Sequence, residues 1–267
     1  AVFPELIGAR FGMGVVRSFA WSADAETMVT GGDAGRLYVI NVRKNRFKTV
    51  IERGSPITSV QMACGSSFVA AARDGKVMRY SLDEANLGKV LATLDLGHPV
   101  TALSVGVTGT TAAVACDDGR IAVWDLKSAT AEVNREGLHK GAVRALGISA
   151  DSKTLYSCGD DALVRSYAFP ALTDLRSSTA QTSPLLCLAT SENKVVVGAQ
   201  DGGVRVFDGA NPLVVTRYSD LRSAVYALGT AGPPRRRRER RRPHRHLEDG
   251  CRGARHDSSD ERKSRKG

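Results

Sequence analysis

Residues Gly97–Asp125 read GHPVTALSVGVTGTTAAVACDDGRIAVWD. The stretch opens on Gly97-His98 and closes on Trp124-Asp125. Between these dipeptides lie three short apolar runs, Val100–Val105, Thr111–Cys116 and Ile121–Trp124, separated by turn residues. The turn before the last run is Asp117-Asp118-Gly119. Runs of this length, bounded by Gly, Asp and Ser, predict strands.

The pattern recurs along the chain. Its first run begins V-x-x-h-x-h, with h apolar, and comparable starts fall at Val16, Ile57, Val100, Val143, Leu185 and Val225, in steps of 41, 43, 43, 42 and 40 residues. The turn before the third run supplies a second ruler: Gly35, Gly75, Gly119, Ala162 and Gly202, in steps of 40, 44, 43 and 40. Five residues beyond each of these stands Ile40, Tyr80, Trp124, Tyr167 or Phe207. Two rulers in phase, at about 40–45 residues, match the period of four-stranded propeller blades.

Gly-His, Trp-Asp and the intervening Asp-Gly turn make this unit resemble the WD-repeat (beta-transducin-type) family, whose members fold as β-propellers. The resemblance spans residues 1–231, with the full signature around Trp124 and degenerate repeats elsewhere. It implies an all-β propeller of four-stranded blades over about 15–52, 57–95, 100–136, 143–178 and 185–218. A first strand of a sixth blade is expected at 225–231, as in a fragment of a six- or seven-bladed ring. The family's N-terminal strand often completes the last blade, and Glu5–Phe11 is the candidate for that role. Ala at position 1 in place of Met implies a processed chain or a fragment.

Composition fits one all-β domain. The chain has 267 residues and 27 Gly, and no run of 18 apolar residues that would span a membrane. The N-terminus lacks the basic start and apolar stretch of a signal peptide. Of the net charge of +10, residues 233–267 carry +8, with 12 Arg and 2 Lys against 6 acidic residues. The repeats are therefore nearly neutral. Five Cys occur without a C-x-x-C pair. Four of them sit in or beside strands where sister repeats have Ala, Gly or Ser, as expected of small buried residues in a reducing, intracellular compartment, cytoplasmic or nuclear.

In V-x-x-h-x-h the first apolar residue has the wrong parity for the face shared by the other two. A β-bulge restores it and re-aims the residues between. The re-aimed pairs include Arg17-Ser18, Thr58-Ser59, Thr101-Ala102, Arg144-Ala145 and Tyr226-Ala227. The resemblance places this part of each blade near one rim, where partners dock. Arg17, Arg144 and Tyr226, of types enriched at interface hot spots, are the candidate partner-binding residues.

The family's blades are tied by a hydrogen-bonded tetrad: the His of Gly-His, a strand Ser or Thr, the Asp before the turn Gly, and the Trp indole. The resemblance assigns His98, Asp118 and Trp124 to blade 3, where Val114 occupies the hydroxyl slot. It assigns His139, Ser157 and Asp161 to blade 4, with Tyr167 in place of Trp. Blade 1 retains Thr30, and blades 2 and 5 retain Asp74 and Asp201. These His–Asp pairs read as structural. Arg165 and Arg205 share one slot of the third strand, where an aliphatic stem over the nearby ring is expected. No G-x-S-x-G, Walker-type loop, H-E-x-x-H or G-x-G-x-x-G occurs, so no enzyme signature, cofactor or small-molecule substrate is indicated.

At 232–267 the repeat gives way to a segment with no aromatic residue and one Leu, a composition that reads as disordered. Arg235, Arg236, Arg237, Arg238, Arg240, Arg241 and Arg242 form a candidate nuclear-import signal or nucleic-acid contact. His244, His246, Cys251 and His256 follow no familiar zinc spacing, and no metal site is expected. Whether this tail is natural or a frame-shifted or mis-spliced end to a longer propeller stays open. The functional expectation is a non-catalytic scaffold for other proteins, without membrane contact; the alternative is a nucleic-acid-associated protein acting through the tail.

Overall fold

Among the described residues, twenty strands form five four-stranded antiparallel sheets, each built from strands consecutive in the chain. The computed structural model describes residues 14–43, 46–191, 194–209, 215–218 and 223–229. The first sheet holds β1 (Val16–Trp21), β2 (Thr27–Gly32), β3 (Arg36–Asn41) and β4 (Arg46–Glu52). The second holds β5 (Ile57–Ala63), β6 (Ser67–Ala72), β7 (Lys76–Ser81) and β8 (Val90–Asp95). The third comprises β9 (Val100–Val105), β10 (Thr111–Cys116), β11 (Ile121–Asp125) and β12 (Thr130–Arg135). The fourth comprises β13 (Val143–Ile148), β14 (Thr154–Gly159), β15 (Val164–Ala168) and β16 (Thr173–Ser177). The fifth comprises β17 (Leu185–Ser191), β18 (Lys194–Ala199), β19 (Val204–Asp208) and β20 (Val215–Tyr218). The described residues contain no α-helix, and one 3-10 turn at Glu84–Asn86.

The chain is therefore an all-β propeller of four-stranded blades, as the period predicts. Neighbouring blades meet through their first strands: β1 lies beside β5, β5 beside β9, β9 beside β13, and β13 beside β17. Four apolar clusters lie between successive blades. One, for example, joins Ala113, Ile121 and Val123 of blade 3 to Val143, Leu146 and Leu155 of blade 4. Because a blade is covered on both faces, its inner strands carry near-continuous apolar runs. Ala70–Ala72 and Ala112–Ala115 are buried throughout, and their small side chains let neighbouring sheets approach closely.

Each first strand carries a register shift against its neighbour, at the residue the parity argument singles out. Pairing skips Arg17, Thr58, Thr101, Arg144 and Leu186. Two residues then oppose one, and the skipped side chain turns out of the sheet face.

The turn glycines weld one blade to the loop that enters the next. The carbonyls of Gly35, Gly75, Gly119 and Ala162 accept from the N–H of Arg53, Leu96, His139 and Gln181. Gly119 has φ +85°, and a Cβ there would lie 2.1 Å from the His139 carbonyl oxygen, so the position demands glycine. Blade 4 tolerates Ala162 at φ 59°. Ala162→Gly is expected to stabilise the protein by about 1 kcal/mol by relieving left-handed strain. Chemical denaturation measures it, and a loss of stability would mean that the buried methyl outweighs the strain.

Two findings concern the ends of the repeat. Among the described residues, 224–229 pair in no strand, so the sixth first strand expected at 225–231 is not formed there. Val225 nonetheless docks where such a strand would begin: its N–H donates to the Ala199 carbonyl, and its side chain packs over Gly198. At the other end Phe19 is 62% exposed, whereas Val60, Leu103 and Leu146 at the same register are buried by the preceding blade. The N-terminal segment Glu5–Phe11 lies outside the described residues, as does all of 230–267. No helix among the described residues is long and apolar enough to cross a membrane.

Candidate functional site

The bulges turn residues of all five first strands toward one central channel. A cavity of about 390 Å³ there is lined by Arg17, Thr58, Thr101, Arg144, Leu186 and Tyr226, among others. It shares Arg17, Thr58, Thr101 and Arg144 with a second cavity of about 490 Å³, which also takes in Asp33, Arg73 and Asp117 at the ends of the second strands. The three candidate partner-binding residues are thus brought together around the channel mouth. Tyr226 is 79% exposed.

Arg17 and Arg144 do not stand free. Arg17 Nε and Nη2 donate to the two carboxylate oxygens of Asp33 at 2.8 and 2.9 Å. Arg144 Nε and Nη2 donate to Asp160 at 2.7 and 2.8 Å. Fork-on-fork pairing fixes both guanidinium planes. Hydrogen bonding from Arg17 holds the Asp33 carboxyl below the usual carboxylate range. In blades 2 and 3 the bulged residue is Thr, and its hydroxyl turns back to the main chain: Thr58 donates to the Ala71 carbonyl, Thr101 to those of Ala115 and Val143.

Below the rim, the tetrad positions behave differently in each blade. In blade 4, His139 Nδ1 lies 2.9 Å from Asp161 Oδ1 and Nε2 lies 2.6 Å from Ser157 Oγ. With Nδ1 donating to the carboxylate, Nε2 accepts from the serine hydroxyl. The Tyr167 hydroxyl is buried near Ser157 without a hydrogen bond of ordinary geometry, and burial pushes its pKa up to about 12. Three members of the set are therefore joined and the fourth is not.

In blade 3 the assignment of His98 is corrected. His139 stands four residues before Val143, and its N–H bonds the Gly119 carbonyl; the residue in that register in blade 3 is Leu96, which bonds Gly75. Two residues later, His98 has a side chain 45% exposed, 3.6 Å from Asp118 Oδ2. Trp124 is fully buried, and its indole N–H has no partner among the described residues because Val114 fills the hydroxyl slot. Asp118 pairs instead with Arg120 at 3.4 Å.

Two arginines that a search for His overlooks pair with the turn carboxylates from two different positions. Arg53, four residues before Ile57, is nearly buried and reaches Asp74 at 3.2 Å. In blade 5, Arg205 is 1% exposed and donates to Asp201 at 2.6 and 3.3 Å. The guanidinium head of Arg205, rather than its stem, accounts for its place, and Arg165 likewise leans on Asp161 at 3.6 Å. In blade 1, Thr30 donates to the Ser18 carbonyl. The sequence signal for Arg53 was its spacing to the first apolar residue.

The turn carboxylates link this network to pH. Burial pushes the Asp161 carboxyl up, but hydrogen bonds from His139 and from the N–H groups of Leu163 and Lys140 outweigh it, so the group titrates below its ordinary range. A carboxyl with a lowered folded-state pKa contributes stability that is present above its unfolded pKa and lost as pH falls through the folded value. Stability is therefore expected to hold from neutrality to about pH 4 and to fall below it. Urea melts of wild type and Asp161→Asn across that range test this, with a shallower acid loss expected in the variant; equal slopes would contradict it.

The thiols offer no chemistry at the site. Cys116, Cys158 and Cys187 are buried and unbridged. Burial pushes the Cys116 thiol up to about 12 and Cys158 higher still, so both stay protonated. His98, Asp117 and Asp118 place ligand atoms within 4.8 Å of one another, but all are exposed or half-exposed, as such groups commonly are without an ion. The arginines of 235–242 and the His and Cys residues of the tail lie outside the described residues.

The comparisons with known proteins agree with this geometry. A family model described as WD domain, G-beta repeat matches residues 88–125 and 136–167, each match ending on a third strand, at Asp125 and Tyr167. The chain therefore carries WD repeats over these two stretches. Among solved structures, the crystal structure of the computationally designed Ika8 protein (crystal packing No.1 in P63) is similar, with 25% identity and a TM-score of 0.70. The match covers 81% of this chain and 65% of that one, so this chain spans somewhat under two thirds of that length. No curated protein matches.

Proposed function

We propose that the protein is a non-catalytic interaction scaffold within a multiprotein complex, and that other proteins dock at the channel mouth through Arg17, Arg144 and Tyr226. WD-repeat propellers generally mediate protein–protein contacts and are typically non-catalytic. The observation that carries the reading is the convergence of bulged residues from separate blades on one cavity. Rigid sheets hold these side chains in fixed relation, which lowers the ordering cost of a bound partner. The fork-paired arginines add donors whose planes are already set.

The composition of 235–242, with seven arginines, supports a second, separable reading in which the tail contacts nucleic acid. Deletion of 232–267 and the mouth variant Arg144→Ala separate the two. A bound protein retained after the deletion and lost with Arg144→Ala supports docking at the mouth. The reverse pattern would assign binding to the tail and overturn the proposal. Arg144 is an exposed pair member, so the variant is expected to fold.

A further inference from the structure

The second-strand ends around the mouth form one register: Asp33, Arg73, Asp117, Asp160 and Gln200. In blades 1 and 4 the acid at this position is neutralised by the bulged arginine beside it. In blades 2 and 3 the bulged residue is Thr, whose hydroxyl is spent on backbone carbonyls. Arg73 and Asp117 are consequently left exposed, and neither makes an ion pair within 4 Å among the described residues. Arg73 acts on Asp33 at longer range, where it ranks behind Arg17. Both line the cavity of about 490 Å³.

Resting on the reading of the mouth as a protein-docking site, we propose that its occupant is a peptide segment carrying one carboxylate and one cationic side chain. The carboxylate is taken by Arg73 and the cation by Asp117. The two unpaired charges stand on neighbouring blades and have opposite signs, so complementarity requires both signs in the partner. The rim arginines Arg17, Arg73 and Arg144 are balanced by Asp33, Asp117 and Asp160. A polyanion such as nucleic acid meets no net positive field there and is disfavoured. Asp118 beside Asp117 reinforces the preference for a cation in blade 3, although Arg120 and His98 partly occupy it.

The test is selection of a phage-displayed library of 12-residue random peptides on the full chain, followed by binding of the enriched peptides to variants. Enriched peptides are expected to share an acidic and a basic residue at a recurrent spacing. Arg73→Glu and Asp117→Lys should each weaken them by about tenfold, and raising the salt should weaken them on wild type. The double reversal should recover binding to peptides with the two charges exchanged. Both residues are exposed and free of side-chain hydrogen bonds among the described residues, and a thermal melt confirms folding. Peptides that lose binding with Arg144→Ala or Tyr226→Ala but ignore both reversals would overturn the charge pairing while leaving the mouth as a docking site. Peptides insensitive to every mouth substitution, or no enrichment at all, would overturn both.

Discussion

Asp201→Ala is expected to destabilise the protein by about 3–5 kcal/mol, the range for stranding one member of a buried ion pair. The asymmetry of the pair sets the size. The Asp201 side chain is partly open to solvent, whereas Arg205 is enclosed, so the cost falls on the guanidinium left behind. Its Nε already lacks a partner, leaving the carboxylate as its main compensation. The carboxylate also accepts from the Gly203 N–H and the Thr182 hydroxyl, which tie the turn to the loop entering blade 5. Asp201→Ala combined with Arg205→Met should recover most of the loss, because an apolar chain of similar length removes the buried charge. Equilibrium urea denaturation of the single and double variants measures this. A single-variant loss within about 0.5 kcal/mol, the scatter of an ordinary surface change, would show that Arg205 reaches water in solution.

The second large effect lies one blade earlier. Asp161→Ala removes the acceptor for His139 Nδ1 and for the N–H groups of Lys140 and Leu163. The imidazole side chain is fully enclosed, so its donor is left without water, at a cost of about 1–3 kcal/mol. His98 supplies the internal control. Asp118→Ala faces a half-exposed imidazole 3.6 Å away, and any loss there should come from Arg120 alone, at about 1 kcal/mol or less. Equal losses in the two variants would mean that the register correction for His98 is wrong.

These two sites mark where the sequence was legible and where it was not. The blade period and the bulges were readable because both follow from short-range rules: turn residues at fixed spacing, and the parity of apolar positions along a strand. The Gly-His at 97–98 misled because the dipeptide was matched without its distance to Val100. The enclosed slot is set by the loop's backbone bond to the preceding turn, and that bond selects Leu96. Arg53 escaped notice, and Arg205 was read for its stem rather than its guanidinium, for a different reason. The turn Asp takes a partner whose type is not dictated, and a guanidinium can reach it from the entry loop or from three residues past the turn glycine. The candidate docking residues Arg17 and Arg144 were picked out by type and bulge position. Their pairing with Asp33 and Asp160 depends on cross-strand register, which the parity argument did not extend to charged neighbours.

The central claim, that bulged residues from separate blades form one protein-docking mouth, is tested most directly by site-specific photo-crosslinking. A photoreactive amino acid is placed singly at Thr58 and at Tyr226, both lining the channel, and at Leu175, exposed on the outer strand β16. The same partner protein is predicted to crosslink from Thr58 and from Tyr226 and not from Leu175. Crosslinks confined to Leu175 would contradict the account, as would different partners at the two mouth positions.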